Sequence, residues 1–212
     1  MRPHPYDVVG FSVPASGIVL EEGRGSLPFH LIHGESLVAA AAWAAGEAGI
    51  DLLDQTLGWD DVAERGGALV LHDPLCPMTP PDFLARCAER AEAADEVVVG
   101  VRPVTDTVKV ASDAGGAAEG GDAAEGGAVL GETVDREGLV SVCSPVVLPS
   151  SVVTDLLADG GRLPSLDFVE LTAALRERYG ADRVALVEAP PQARRVASEE
   201  DLAVLAALTD PR

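Results

Sequence analysis

Two short stretches carry most of the side chains able to do polar chemistry. The first is Leu71-His72-Asp73-Pro74, and the second is Arg102-Pro103-Val104-Thr105-Asp106-Thr107-Val108-Lys109. A carboxylate such as Asp73, set at the end of an apolar run, is a natural Mg2+ ligand. That ion takes few protein oxygens and completes its shell with water and substrate phosphates. The hydroxyls of Thr105 and Thr107, with Arg102 or Lys109 nearby, are donors suited to a phosphate monoester. Each stretch also has a plainer reading. Asp73 before Pro74 shapes a turn, and Thr105-Asp106-Thr107 is ordinary polar turn chemistry.

What must position these residues is legible in the surrounding pattern. Continuous apolar runs at Gly17–Leu20, Ala68–Leu71, Val97–Val101, Leu139–Cys143 and Val184–Val187 predict strands covered on both faces. Helical patterns alternate with them. Thr79-Pro80-Pro81-Asp82 offers a cap before Phe83, Leu84, Cys87, Ala88 and Ala91; Ser165 precedes Phe168, Leu171, Thr172, Leu175 and Tyr179. Ser198-Glu199-Glu200-Asp201 reads as a capping box opening Leu202–Leu208, and Ser36–Ala48 is an Ala-rich helix ending near Gly49. The alternation predicts one α/β domain over residues 1–212 with a mostly parallel sheet. Both polar stretches then fall at carboxyl ends of strands, where open α/β sheets bind ligands. Ala111–Ala128 holds only Ala, Gly, Ser, Asp and Glu and predicts a disordered insertion at the tip of an arm.

Composition excludes several classes. The chain has 35 acidic against 15 basic residues, a net charge of −20, which repels nucleic acid and anionic membranes. Cys76, Cys87 and Cys143 are scattered without CxxC spacing, against a disulfide framework or a zinc site. No apolar run is long enough to span a bilayer, and Met1–Gly10 has no signal-peptide pattern, so the expectation is a cytoplasmic protein.

Five collinear pieces carry a resemblance. They are His72-Asp73-Pro74-Leu75-Cys76-Pro77, Met78-Thr79-Pro80-Pro81, Pro103-Val104-Thr105-Asp106-Thr107-Val108-Lys109, Thr133-Val134-Asp135-Arg136-Glu137-Gly138-Leu139, and Arg195 through Leu202. Their order and content resemble the 2-C-methyl-D-erythritol 4-phosphate cytidylyltransferases. The resemblance implies a three-layer, Rossmann-like fold of the nucleotide-diphospho-sugar transferase type, with a hairpin arm through which the family forms homodimers. It implies Mg2+-dependent transfer of CMP from CTP to 2-C-methyl-D-erythritol 4-phosphate in isoprenoid synthesis. Asp73 would be the metal ligand and would act with Arg136 and Arg195 in catalysis. Thr105, Asp106, Thr107 and Lys109 would bind the sugar phosphate, and Gly23-Arg24-Gly25 would be what remains of the nucleotide loop.

The departures fall on the nucleotide side. Where the family has a longer Gly-rich loop followed by Pro-Lys, this chain reads Leu20-Glu21-Glu22-Gly23-Arg24-Gly25-Ser26-Leu27-Pro28-Phe29. Two carboxylates stand where a triphosphate would lie, and Phe29 takes the place of the lysine. Cys76 replaces an arginine, Cys143-Ser144-Pro145-Val146 replaces Gln-Thr-Pro-Gln, and Asp167 stands alone where two aspartates are expected. The base-binding segment has no counterpart between Gly46 and Gly66. Two functions follow: a cytidylyltransferase of intact or weakened activity, or a catalytically inactive relative serving as a binding or partner module.

Overall fold

A computed structural model describes residues 14–54, 58–105, 108–113 and 128–210. The described residues group into two units, those within 14–102 and 142–210, and those within 103–141. The sequence pattern predicts one domain with an arm.

In the larger unit, the strands are β1 (Ala15–Val19), β4 (Asp51–Leu52), β5 (Ala68–His72), β6 (Val97–Pro103), β9 (Val140–Leu148) and β10 (Val184–Glu188), in the spatial order β10-β6-β9-β5-β1-β4. A small antiparallel pair, β2 (Leu31–Ile32) and β3 (Glu35–Ser36), precedes helix α1 (Leu37–Glu47). The other helices are α2 (Trp59–Arg65), α3 (Pro81–Ala94), α4 (Ser150–Ala158), α5 (Phe168–Tyr179) and α6 (Glu199–Leu208). β1 pairs in parallel with β4 and β5, β6 with β10, and β9 runs antiparallel to β5. The expected α/β class with a mostly parallel sheet is what forms.

β5 shows why its residues read as one apolar run. All five are buried, because alternate side chains feed opposite cores. Leu69 and Leu71 join Val152, Leu156, Leu171 and Leu175 from α4 and α5 on one face. Ala68 and Val70 join Ala44, Ala45, Leu84 and Ala88 from α1 and α3 on the other. A third cluster of Ile32, Leu37, Leu75, Val196 and Leu205 ties α6 to the start of α1.

Several boundaries differ from the sequence reading. The strand expected at Leu139–Cys143 runs on to Leu148, and its buried part is residues 143–148. Thr79 does not cap α3; its hydroxyl donates to Cys76 O at 2.8 Å, and Pro80 occupies the cap position. α5 is capped by Asp167, which accepts from Val169 N and Glu170 N, while Ser165 Oγ accepts from Asp167 N just upstream. A carboxylate satisfies two orphan donors and suits the helix dipole better than a hydroxyl. Ser198 does cap α6, accepting from Asp201 N at 3.2 Å, but Asp201 reaches back to Ala197 N rather than closing a capping box.

The smaller unit is an antiparallel ladder of β7 (Val108–Asp113) and β8 (Ala128–Val134). The sequence assigns all of Ala111–Ala128 to a disordered insertion. Its ends are instead paired, Ala111 with Leu130, Ser112 with Val129 and Asp113 with Ala128. Backbone pairing needs no apolar side chain, so composition could not reveal it. The rest of that expectation, residues 114–127, lies outside the described residues.

Candidate functional site

The end of β5 delivers His72 and Asp73, both buried. Asp73 N–H donates to Ser144 Oγ at 3.1 Å, which fixes the backbone just past the strand. The carboxylate is then filled from three directions. Oδ1 accepts Leu75 N at 3.0 Å and Arg24 Nε at 3.1 Å, and Oδ2 accepts Arg195 Nε at 2.9 Å. Its side chain is 2% exposed. Two guanidiniums around one carboxylate leave the cluster with one net positive charge.

Arg24 arrives on the turn after β1. Gly23 and Gly25 have φ of 77° and 62°, a conformation open to glycine and strained for other residues. The turn points Arg24 inward, where its side chain is 5% exposed and stands 5.6 Å from the Phe168 ring centroid. Its remaining donors are committed: Nη1 to Glu22 O at 3.2 Å and Nη2 to Leu166 O at 2.8 Å. Arg195 differs. Its side chain is 35% exposed, with Nε on Asp73. Burial works against its charge, but the hydrogen bond and charge of Asp73 outweigh it and lift its pKa above the ordinary arginine value. Arg195 is therefore the cation of this cluster that faces outward.

His72 sits behind Asp73. Its Nδ1 meets Ser144 Oγ in a short hydrogen bond, and Nε2 is buried without a partner among the described residues. Burial, only partly opposed by the Asp73 charge, brings the His72 pKa down to about 4, so the ring is neutral.

Cys76 and Cys143 are both buried beside this cluster; burial raises the Cys76 thiol pKa, whereas the interaction with Cys76 lowers that of Cys143.

Of the residues singled out from the sequence, Asp73, Arg24 and Arg195 come together. Thr105, Lys109 and Arg136 belong to the smaller unit, where Arg136 Nη1 donates to Thr105 O and all three are exposed. Asp106 and Thr107 lie outside the described residues. Asp167, besides capping α5, raises the Arg195 pKa through its charge. Ser144, the Leu166 carbonyl and the two buried thiols beside the cluster are not foreseen from the pattern. Their only signal is that Cys76 and Cys143-Ser144 stand where the resemblance breaks.

A magnesium ion fits this donor set poorly. Both Asp73 oxygens already hold guanidinium N–H groups, and no group of three or more His, Cys, Asp or Glu that could hold a metal occurs among the described residues.

A six-stranded, mostly parallel sheet with helices on both faces and a charged cluster at a strand end defines an α/β protein of the nucleotide-diphospho-sugar transferase type. Residues 56–210 match the model of the IspD family, the 2-C-methyl-D-erythritol 4-phosphate cytidylyltransferases, and the chain belongs to that family. It is 28% identical over 184 residues to the enzyme of that name from Corynebacterium glutamicum, covering 85% of this chain and 62% of the relative. It is also 28% identical over 149 residues to the one from Rhodococcus jostii, covering 70% and 58%. The chain thus spans about three fifths of the length of these curated relatives. The crystal structure of 2-C-methyl-D-erythritol 4-phosphate cytidylyltransferase from Thermus thermophilus superposes with a TM-score of 0.58 at 20% identity, covering 92% of this chain and 98% of that one.

Proposed function

We propose that this chain is a cytidylyltransferase-like member of its family in which CMP transfer is lost or much weakened, leaving a binding or partner module. One observation carries the reading: the Asp73 carboxylate is enclosed between Arg24 and Arg195. In the family's reaction the sugar phosphate attacks the α-phosphate of CTP and pyrophosphate leaves, a step that rests on cations placed around the transferring group. Here Arg24 is drawn into the protein, Phe29 stands exposed in place of a lysine, and Glu21 and Glu22 flank the turn. A triphosphate would meet carboxylates there. What survives is Arg195, which suits a phosphate monoester. The homodimer implied by the family belongs to the same reading, as do the cytoplasmic location and the absence of a nucleic-acid or membrane partner expected from the composition and apolar pattern.

The test is direct. The protein is mixed with CTP, Mg2+ and 2-C-methyl-D-erythritol 4-phosphate, and pyrophosphate release is followed beside a complete family member. We expect turnover at least about 1,000-fold lower, the scale set by losing several positioned charges, and no CTP binding by calorimetry at millimolar nucleotide. Comparable turnover that Asp73→Asn removes would restore the active-enzyme reading, which the family match favours.

A further inference from the structure

β10 stands at the edge of the six-stranded sheet, with β6 as its neighbour. Its two faces are covered unequally. On one face Val184 packs into the core that holds Leu171 and Leu175 of α5. On the other, Val187 is only partly buried, beside the cluster that contains Phe83, Cys87 and Ala189. The opposite wall comes from α3, where Phe83, Arg86, Cys87, Arg90 and Ala93 recur at helical spacing. Between that stripe and the end of β10 lies an open groove of about 810 Å³. Small-ligand sites run from roughly 300 to 1,000 Å³. None of the lining residues belongs to the Asp73 cluster, so what the groove holds does not depend on whether CMP transfer survives.

The polar groups of the groove select the ligand. Arg86 is paired with Asp82, and Arg90 with Glu96 at 2.6 Å. Glu89 from α3 and Glu188 from β10 line the groove from its two walls. Both are exposed, and neither carboxylate has a hydrogen bond or ion pair among the described residues. The turn after β10 adds no donor. Pro190 and Pro191 have no N–H, and the N–H of Ala189 is spent on Val101 O at 2.8 Å. An anionic head group would meet two free carboxylates and two arginines already neutralised. A cationic one meets two free acceptors.

We propose that this groove binds a small organic cation, an ammonium group carried on an aromatic or branched aliphatic body. The body lies against Val187, Ala189 and the Phe83–Cys87 stripe, where apolar area is removed from water. The ammonium is drawn to Glu89 and Glu188. The net charge of −20 raises the local concentration of cations around the whole protein, so the groove itself must be distinguished from that general attraction.

The full chain is titrated with tryptamine at low ionic strength and binding is followed by calorimetry, with indole-3-propionate as the matched anion. We expect saturable tryptamine binding with a Kd of about 1 mM or below, and binding of indole-3-propionate at least about tenfold weaker. Two variants locate the site. Ala93→Trp places a ring in the groove without changing the net charge, and should weaken tryptamine at least about tenfold by steric exclusion. The double variant Glu89→Gln, Glu188→Gln should weaken it about five- to tenfold, the scale of two exposed ion pairs. All three positions are exposed, so the fold is preserved, as circular dichroism would verify. Equal binding of the two indoles, no saturable binding at millimolar tryptamine, or wild-type affinity in either variant would overturn the proposal. Wild-type affinity in Ala93→Trp would show that the overall negative charge, not the groove, collects the amine.

Discussion

Arg195 and Asp73, 122 residues apart in the chain, are joined by a hydrogen bond of 2.9 Å from Nε to Oδ2. The contact links the approach to α6 with the end of β5, and Asp73 then links both to Arg24 on the turn after β1. Removing one member of a buried charge cluster strands the others, and that cost exceeds what the pair contributes relative to apolar neighbours. Asp73→Asn should therefore lower the unfolding free energy in urea by about 3–5 kcal/mol. Adding Arg24→Met should recover part of the loss, because the stranded guanidinium goes with it. If Asp73→Asn unfolds at the wild-type urea midpoint, the cluster does not hold the site together.

His72 makes stability depend on pH. Its folded pKa is about 4, against 6.5 for the unfolded imidazole. Between those values the unfolded chain binds more protons, so stability rises with pH across that window. The contribution is complete above pH 6.5 and is lost as pH falls toward about 4. Its size is roughly 3 kcal/mol. The many carboxylates titrate in part of the same range, so the useful measurement is a difference. The stability of His72→Gln relative to wild type, taken by urea unfolding at pH 7 and near pH 4, should change by about that amount. An unchanged difference would mean that the ring is not buried neutral.

Gly100 permits the approach of β9 to β6. A Cβ there would lie 2.5 Å from the Ser144 carbonyl oxygen and 2.8 Å from its carbon, both backbone atoms. Gly100→Ala must push Ser144 aside, and with it the hydroxyl that serves His72 and Asp73 N–H. We expect a loss of about 1–3 kcal/mol, the usual range for forcing extra volume into a packed interior. A thermal melt identical to wild type would show that the strands have room to separate.

These features differ in how far the residue pattern reveals them, for physical reasons. Ala68–Leu71 and Val97–Val101 are legible as strands because a sheet covered on both faces needs uninterrupted apolar residues. Asp73 is legible as the site's centre because it follows such a run. Its bonding is not: pattern shows which residue ends a strand, but Arg24 and Arg195 reach it from far along the chain. Arg24 illustrates the limit. Gly-Arg-Gly reads as a surface turn or a phosphate loop, and the backbone does turn at Gly23 and Gly25, but the side chain points inward. Thr79 and Ser165 have the right chemistry for caps yet do not serve, because several residues in each stretch could do so and tertiary contacts choose among them.

The smaller unit allows a test of the arm. Asp113 and Ala128 are paired directly across the ladder, so a two-residue type I′ turn could join them. The segment to be replaced, residues 114–127, contains only Ala, Gly, Asp and Glu and has no apolar anchor for an interface. Substituting Asn-Gly for it should leave the molecular mass by light scattering unchanged, whether the protein is a monomer or the dimer proposed above. The shorter connection should also stabilise the hairpin by about 1–2 kcal/mol, because loop length is halved roughly three times at about 0.6 kcal/mol for each halving. A fall from dimer to monomer on this replacement would show that the segment itself takes part in association.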